Sequence, residues 1–265
     1  MNLQLNGCRT VLCGAGGVLG QAIAARLAAE GARLALLGRD REVLHQQAQS
    51  LTNANADRAS NHLAIHCDLA DAASTDAAID ESEKSLGAID LFISAAGAAQ
   101  GGVFWEIDDA AWRSNLEVKL FGTIRALRAV APRMVARRAG RIVLVVGNSA
   151  RQPEPRMLPG AAANAALLAI VRGLAEELGP HGVAINAVNP GPVRSSRWDA
   201  LMNAAAAREG ITVAEAEKRF LERTALRRLA TADEVATHVA FLASPAAAHL
   251  TGTSLTIDGG SNKSP

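Results

Sequence analysis

The sequence predicts an α/β fold in which helices cover both faces of a doubly wound parallel sheet of about seven strands. Three observations predict it. Short apolar runs rich in Val, Ile and Leu recur along the chain, longer segments with helical periodicity separate them, and the alternation continues to the end. Parallel strands need crossover connections, and crossover helices bury both faces of a sheet, so its strands are continuous apolar runs.

The strands and helices follow one another in a regular order. The predicted strands are residues 10–13, 33–37, 63–67, 89–94, 141–146, 183–188 and 254–257. The predicted helices are residues 20–30, 41–51, 72–86, 109–137, 161–178 and 232–242. Nothing resembles a linker, so we expect one domain over residues 1–265.

Residues 194–224 break this order between the sixth strand and the last helix, and they are predicted to form one or two short helices. Ligands of doubly wound folds bind beyond the carboxyl ends of the strands. This insertion is therefore expected to act as a lid over a substrate pocket.

Composition and charge narrow the class of protein. The chain of 265 residues is 49% apolar and 20% charged with a net charge of +1, which fits a soluble globular domain and favours neither nucleic acid nor a membrane surface as a partner. Its three cysteines lack metal or redox spacing and indicate reduced thiols in a cytoplasmic protein. The six histidines suggest no metal cluster, and charges or turn signals interrupt each apolar run, so no membrane span is expected.

A glycine cluster joins the first predicted strand to the first predicted helix. The stretch VLCGAGGVLG contains Gly14, Gly16, Gly17 and Gly20. Glycine is needed where the chain turns tightly and where backbone approaches a pyrophosphate, and a helix N-terminus supplies N–H groups and a partial positive charge. In this position the cluster predicts a dinucleotide-binding loop.

Seven motifs along the chain occur in the order typical of one enzyme family. They are the glycines Gly14, Gly17 and Gly20, Asp68 in CDLAD, Gly97 ending FISAAG, Asn115 in WRSNLEVKLFG, the run GRIVLVV from Gly140, Pro190 and Gly191 in NPGPVRSS, and TGTSLTIDGG. Over nearly its whole length the chain thus resembles the short-chain dehydrogenase/reductases. The resemblance implies a Rossmann-type fold, a nicotinamide cofactor held at the glycine loop, Gly97, Pro190 and Gly191, and a homodimer or homotetramer.

The residues after the second predicted strand bear on the choice of cofactor. Gly38 stands where the family's NAD-type acid would bind the adenosine ribose, and Arg39, which follows, would pair with a 2′-phosphate. We therefore expect NADP(H) rather than NAD(H), with a protein that binds neither as the alternative. The resemblance assigns Asp68 to the adenine, and a helix cap is an equal alternative. The loop departs from the family's Gly-x-x-x-Gly-x-Gly, because Val18 stands at its fifth place.

The family's catalytic groups are absent from the positions where the resemblance places them. The family uses a tyrosine that passes a proton to the carbonyl oxygen, a lysine four residues later that lowers the tyrosine pKa and holds the nicotinamide ribose, and a serine that positions the substrate. Here Gly160, Asn164 and Gly147 stand at those positions, and the chain contains no tyrosine. Tyrosine-dependent carbonyl chemistry is therefore not expected.

Two side chains are candidate replacements. Ser149 lies two residues beyond the serine position, although a hydroxyl that satisfies its own loop is the alternative. Asn115 matches the family asparagine that supports a water molecule. Lys119, one helical turn further on, is expected to be a solvated or interface charge rather than a replacement for the missing ammonium.

Three functions remain open from the sequence. The first is an NADP(H)-binding oxidoreductase for an unknown small carbonyl or alcohol substrate, with water or the substrate as proton source. The second is a redox-silent cofactor-binding or scaffolding subunit, alone or beside a homologous subunit. The third is a non-redox lyase or isomerase that uses Arg151, Arg156 or Glu154 in the loop NSARQPEPRMLPG.

Overall fold

One sheet organises the protein, whose computed structural model describes residues 3–55, 61–97 and 101–262. Its strands are β1 (Arg9–Cys13), β2 (Arg33–Gly38), β3 (Leu63–His66), β4 (Leu91–Ser94), β5 (Gly140–Val145), β6 (Val183–Pro190) and β7 (Ser254–Ile257). All neighbouring strands are parallel, in the order β3-β2-β1-β4-β5-β6-β7. The order reverses between β1 and β4, where doubly wound folds bind their ligands.

Helices cover both faces of this sheet. They are α1 (Val18–Ala29), α2 (Arg41–Ala54), α3 (Ala72–Leu86), α4 (Asp109–Leu116), α5 (Gly122–Arg137), α6 (Leu158–Leu178), α7 (Ser196–Glu209), α8 (Val213–Leu221) and α9 (Ala232–Ala243). Leu12 of β1 joins the core on the face that α1, α2 and α9 cover, and its neighbour Val11 joins the core under α3, α5 and α6. Alternate side chains of a strand point to opposite faces, so both faces are buried and the predicted fold class is confirmed.

The segment predicted as one helix over residues 109–137 is interrupted. Between α4 and α5 the backbone forms a π-helical turn, Glu117–Phe121. A π turn holds more residues than an α turn and rotates the side chains after it about the helix axis. A uniform helical period therefore cannot place the residues of this turn.

The insertion forms two helices, α7 and α8, after the end of β6. Trp198 and Met202 of α7 are buried in a small apolar cluster with Ala216 of α8. The Trp198 ring meets that of Phe220 edge-on, with 4.8 Å between ring centroids. The insertion thus has its own small core, and its role as a lid stays a prediction.

The apolar helix α6 belongs to the core. Within the part of the chain that the structure describes, the stretch Leu158–His181 alone is long and apolar enough to cross a membrane. The sequence predicts no such stretch, because Arg172 and two glutamates interrupt its C-terminal part. Leu167 and Val171 are buried in the core, and the helix packs against β6. Buried core helices can also be this long and apolar, so length and composition alone are weak support for a membrane span.

Candidate cofactor cleft and active site

The glycine turn lies at the carboxyl end of β1 and leaves no room for side chains at two positions. Gly14 has a φ of +76°, and a Cβ there would lie 2.7 Å from the Cα of Ala96. A Cβ at Gly20 would lie 2.1 Å from the carbonyl oxygen of Gly14. Any other residue would displace backbone at these positions. The turn therefore brings main chain close to any ligand bound in the cleft expected beyond the carboxyl ends of β1 and β4.

The N-terminus of α1 opens onto this turn without a side-chain cap. Gly17 is its N-cap residue and has no side chain to accept the first N–H groups of the helix. Val18 begins the helix and is 46% exposed, so it does not fill the turn. Gln21 donates from Nε2 to the carbonyl oxygen of Gly16 over 2.9 Å and steadies the loop. Gly14, Gly20 and the N-terminus of α1 form a backbone cradle. Val18, which departs from the family's glycine pattern, leaves this cradle open.

Arg39, which the sequence predicts to discriminate between the cofactors, is exposed and follows β2 directly. Asp40, next in sequence, caps α2 by accepting from the Val43 N–H at 3.1 Å. Asp68 accepts from the Ala70 N–H at 3.0 Å in the loop after β3. The cap of α3 is Asp71 instead, so the helix-cap alternative for Asp68 is wrong, and its adenine role stays a prediction.

At the other side of the cleft, Pro190 ends β6 and is buried. The N–H of Gly191 donates to the carbonyl oxygen of Ile257 at 2.9 Å. A Cβ at Gly191 would lie 2.7 Å from the Cβ of Asp258. Gly191 therefore lets the ends of β6 and β7 approach closely, and contact of either residue with a cofactor stays a prediction.

The positions of the family's serine and lysine lie side by side. Gly147 has φ +138°, and a Cβ there would lie 2.9 Å from Nδ2 of Asn164. This amide donates instead to Oγ of Ser149 at 2.9 Å. Gly160 is buried one turn before Asn164 on α6. The structure thus brings Gly147, Ser149 and Asn164 together, and the amide of Asn164 lies where a side chain at Gly147 would begin.

The other polar atom of Asn164 is unpaired. Among the described residues no donor lies within hydrogen-bonding distance of its buried Oδ1. A buried carbonyl oxygen without a partner costs about 1–3 kcal/mol, so a ligand hydroxyl that bonds to it would be favoured. Together with the backbone cradle at Gly14 and Gly20, this unpaired atom fits the polar groups of a dinucleotide.

Lys119 is enclosed at its charged end. It lies in the π-helical turn, and its Nζ donates to the carbonyl oxygen of Val146, just after β5, at 2.7 Å. Its stem passes under Gly97, where a Cβ would lie 2.8 Å from the Lys119 Cδ. Burial lowers the pKa of Lys119 to about 8, and the nearby charge of Arg197 adds to this effect. The expectation of a solvated charge is therefore wrong, because the π turn places the ammonium against the Val146 carbonyl, and the expectation of an interface charge stays a prediction.

Asn115, the other candidate on this segment, is buried on α4. Its Nδ2 donates to the carbonyl oxygen of Ala111, one turn back, at 2.8 Å. Asn115 therefore bonds within its own helix, whereas Lys119, one turn later, reaches the backbone next to Gly147. The role of Asn115 in supporting a water molecule stays a prediction.

Two charged side chains of the loop between β5 and α6, those of Glu154 and Arg151, have partners in other segments. Glu154 forms an ion pair with Arg223 at 3.2 Å, and Arg151 donates to Oγ of Ser254 at 2.8 Å. The carbonyl oxygen of Arg156 accepts from the Gly102 N–H at 2.8 Å. These contacts tie the loop to three other segments, and catalytic roles for Glu154, Arg151 and Arg156 stay predictions.

Comparisons with known proteins agree with this geometry. The family model described as Enoyl-(Acyl carrier protein) reductase matches residues 14–262. The short-chain reductase protein NovJ of Streptomyces niveus is 33% identical over 250 residues, which are 94% of this chain and 92% of NovJ. The uncharacterized oxidoreductase YvrD of Bacillus subtilis is 31% identical over 98% of both chains.

Solved structures are similar over the whole sheet. An NADPH-bound short-chain oxidoreductase of Pseudomonas aeruginosa PAO1, described as containing an atypical catalytic center, is 30% identical, with a TM-score of 0.86 over 97% of this chain and 98% of that one. Actinorhodin polyketide ketoreductase with NADPH is 26% identical, with a TM-score of 0.90 over the same shares. The protein therefore belongs to the short-chain dehydrogenase/reductase family.

Proposed function

We propose that the protein is an oxidoreductase that interconverts a small carbonyl compound and its alcohol with NADP(H). The observation that carries this proposal is the backbone cradle at the end of β1. Gly14 and Gly20 admit no Cβ, and the uncapped N-terminus of α1 adjoins them. Hydrogen-bond donors and a partial positive charge at one point favour a pyrophosphate.

The preference for NADP(H) rests on Arg39. It is exposed directly after β2, where Gly38 supplies no carboxylate to bind a ribose diol. A guanidinium can pair with a phosphate through two parallel hydrogen bonds. The relatives do not decide the question, because a similar xylitol dehydrogenase structure is described as NAD⁺-bound and the ketoreductase structure contains NADPH.

Each part of the cleft has a task in this function. The cofactor, when bound, supplies the hydride that reduces the carbonyl carbon. The glycine turn holds the pyrophosphate. Oδ1 of Asn164 accepts a hydrogen bond from a ribose hydroxyl, in place of the contact that the family's lysine makes. Gly147 and Gly160, which carry no side chains, stand where the family resemblance places the groups that act on the substrate carbonyl. The site is atypical because the usual serine, tyrosine and lysine are missing from these positions.

Turnover with a panel of carbonyl compounds tests the proposal. Aldehydes, ketones and keto acids are offered with NADPH, and the matching alcohols with NADP⁺, while the nicotinamide absorbance is followed. Cofactor consumption in step with product formation supports the proposal. Product formed with no cofactor consumed overturns it and favours the lyase or isomerase alternative.

Assembly is a separate proposal. By the family resemblance we infer that the protein forms a homodimer or homotetramer, a state that light scattering after size exclusion measures directly. A monomer at micromolar concentration would contradict it. Co-purification of a homologous subunit from the native source would favour the mixed assembly instead.

A further inference from the structure

We propose that Lys119 is the proton donor of the reaction and takes the place of the tyrosine that the chain lacks. The inference rests on the proposed carbonyl chemistry. It starts from position: the ammonium group reaches the carbonyl oxygen of Val146, and the next residue is Gly147, where the family's serine would stand. The π-helical turn that carries Lys119 packs against α6, the helix of Asn164.

Gly97 fixes the path of the lysine stem. Its φ is +128°, which side-chain-bearing residues rarely adopt, and a Cβ there would lie 2.9 Å from Cγ of Lys119. The missing side chain at Gly97 therefore leaves the space through which the stem passes from the helix to the end of β5. The π-helical turn and Gly97 together direct the ammonium to the carbonyl oxygen of Val146, next to Gly147, rather than to the surface.

The surroundings of Lys119 make its proton transferable. In the described part of the chain no carboxylate forms an ion pair with it, and the charge that acts on it is that of Arg197, at the start of α7. Burial and this positive charge both disfavour the ammonium form and lower the pKa of Lys119 to about 8. A donor with a pKa near the working pH is both protonated and able to release its proton.

The neighbouring groups are poorer donors. Oγ of Ser149 is held by the amide of Asn164, and an unassisted hydroxyl is a weak acid. The carboxyl of Glu154 is paired with Arg223 in the insertion. Burial raises the pKa of the Cys67 thiol to about 11, so this thiol keeps its proton at neutral pH. Arginine does not release a proton in proteins, which excludes Arg197.

The step balances with the groups already named. As the carbonyl carbon gains a hydride from the cofactor, the π electron pair of the C=O bond moves onto the oxygen. That oxygen forms an O–H bond with the proton of the Lys119 ammonium as the N–H bond breaks. The neutral amine, still beside the Val146 carbonyl, then takes a proton from water. In the reverse direction the neutral amine accepts the proton of the alcohol.

The first test measures the titration of Lys119 without any turnover. The chain contains four lysines, Lys84, Lys119, Lys218 and Lys263, so protein labelled with [ε-¹³C]lysine gives few signals. The signal missing from Lys119→Met is assigned to Lys119. We expect its chemical shift to titrate with a midpoint near pH 8, well below the ordinary lysine pKa of 10.5. A Lys119 signal that titrates near pH 10.5 overturns the inference.

The second test measures reduction against pH once a substrate is found. We expect kcat/KM of the wild type to fall above about pH 8, as the ammonium loses its proton. Lys119→Met should lose ~10²–10⁴-fold in kcat/KM, the usual contribution of a general acid. Lys119→Arg keeps a hydrogen-bond donor to Val146, but a guanidinium does not release its proton. Its kcat/KM should therefore stay as low as that of Lys119→Met and should not decrease near pH 8.

A matched control and a binding measurement separate the two proposals. Lys84→Met, at the exposed C-terminal end of α3, should keep the activity and the pH profile of the wild type. NADPH should stabilise Lys119→Met as it does the wild type. If Lys119→Met reduces the substrate at the wild-type rate, or Lys119→Arg restores both the rate and the pH profile, the inference is wrong. If the wild type binds no nucleotide, the proposed function itself fails.

Discussion

Nζ of Lys119 donates to the carbonyl oxygen of Val146 at 2.7 Å, so a cationic side chain ends inside the protein next to Gly147, where the resemblance places the family's serine. This relationship has a consequence for stability. The ammonium form is penalised in the folded protein and not in the unfolded chain, where the pKa of lysine is 10.5. Folding and the protonation of Lys119 are therefore linked.

The first prediction concerns pH and stability. Below pH 8 both states hold the proton, and the burial penalty is fully present. Between pH 8 and 10.5 the unfolded chain still binds the proton that the native state has released, so wild-type stability should rise relative to Lys119→Met. The total change should be at most about 3 kcal/mol. Urea unfolding of both proteins across this pH range measures it, and a difference that does not depend on pH would contradict it.

The second prediction concerns the glycine turn. Gly20→Ala places a Cβ against the carbonyl oxygen of Gly14 and should distort the cradle, abolish NADPH binding and cost about 1–3 kcal/mol of unfolding free energy. Gly173→Ala on the exposed side of α6 meets nothing within 4 Å and should stabilise the helix by up to about 1 kcal/mol. Thermal unfolding with and without NADPH compares the two. Wild-type NADPH binding by Gly20→Ala would refute the assignment of the cradle.

The third prediction concerns the family's serine position. Gly147 combines φ 138° with ψ 145°, a conformation that is essentially restricted to glycine. Gly147→Ser should therefore destabilise the protein by about 1–3 kcal/mol and gain no activity. Gly179→Ser is the matched control, because Gly179 has a φ of −54° and a Cβ there would meet nothing within 4 Å. It should change the free energy of unfolding by less than about 0.5 kcal/mol. A Gly147→Ser variant as stable as the wild type would show that the backbone there is not fixed.

The fourth prediction concerns Asn164. Its unpaired Oδ1 is assigned to a ribose hydroxyl, so Asn164→Ala should weaken NADPH binding about tenfold, the value of one hydrogen bond. Ser149→Ala removes the partner of Nδ2 and leaves Oδ1 in place, so it should bind NADPH within a factor of about three. Fluorescence titration gives both constants. Equal losses in the two variants would assign the effect to the loop rather than to Oδ1.

The fifth prediction concerns nucleotide preference. Arg39→Ala should weaken NADPH binding ten- to a hundredfold, on the order of 1.5–3 kcal/mol for a charge-assisted contact, and leave NADH binding unchanged. Arg128→Ala, on the exposed face of α5, is the control for lost surface charge. An Arg39→Ala variant that still prefers NADPH as strongly as the wild type would show that another group reads the 2′-phosphate.

Much of the fold could be predicted because sequence pattern and tertiary structure agree. Helix α3 and strand β7 have the bounds that periodicity and turn signals indicate. Other boundaries shift by up to three residues, since hydrogen bonding and not hydropathy ends an element; β6, for example, extends two residues further, through Pro190. The glycine turn could be predicted because its steric requirement is visible in the sequence itself.

The centre of the site could not be predicted in the same way. The π-helical turn leaves no mark in the hydropathy of residues 117–121, yet it decides where Lys119 lies. The pairing of Glu154 with Arg223 joins residues 69 positions apart, which no local pattern reports. The strained φ of Gly147 likewise appears only once β5 and α6 are packed together.

The most direct test of the central claim is the thermal unfolding of the wild-type protein with NADPH and with NADH over a range of concentrations. A nucleotide at a hundred times its Kd adds ~2.7 kcal/mol to the free energy of unfolding. We predict stabilisation by NADPH at concentrations at least tenfold lower than those at which NADH acts. No stabilisation by either nucleotide would contradict the account, because the cradle at Gly14 and Gly20 would then hold no cofactor.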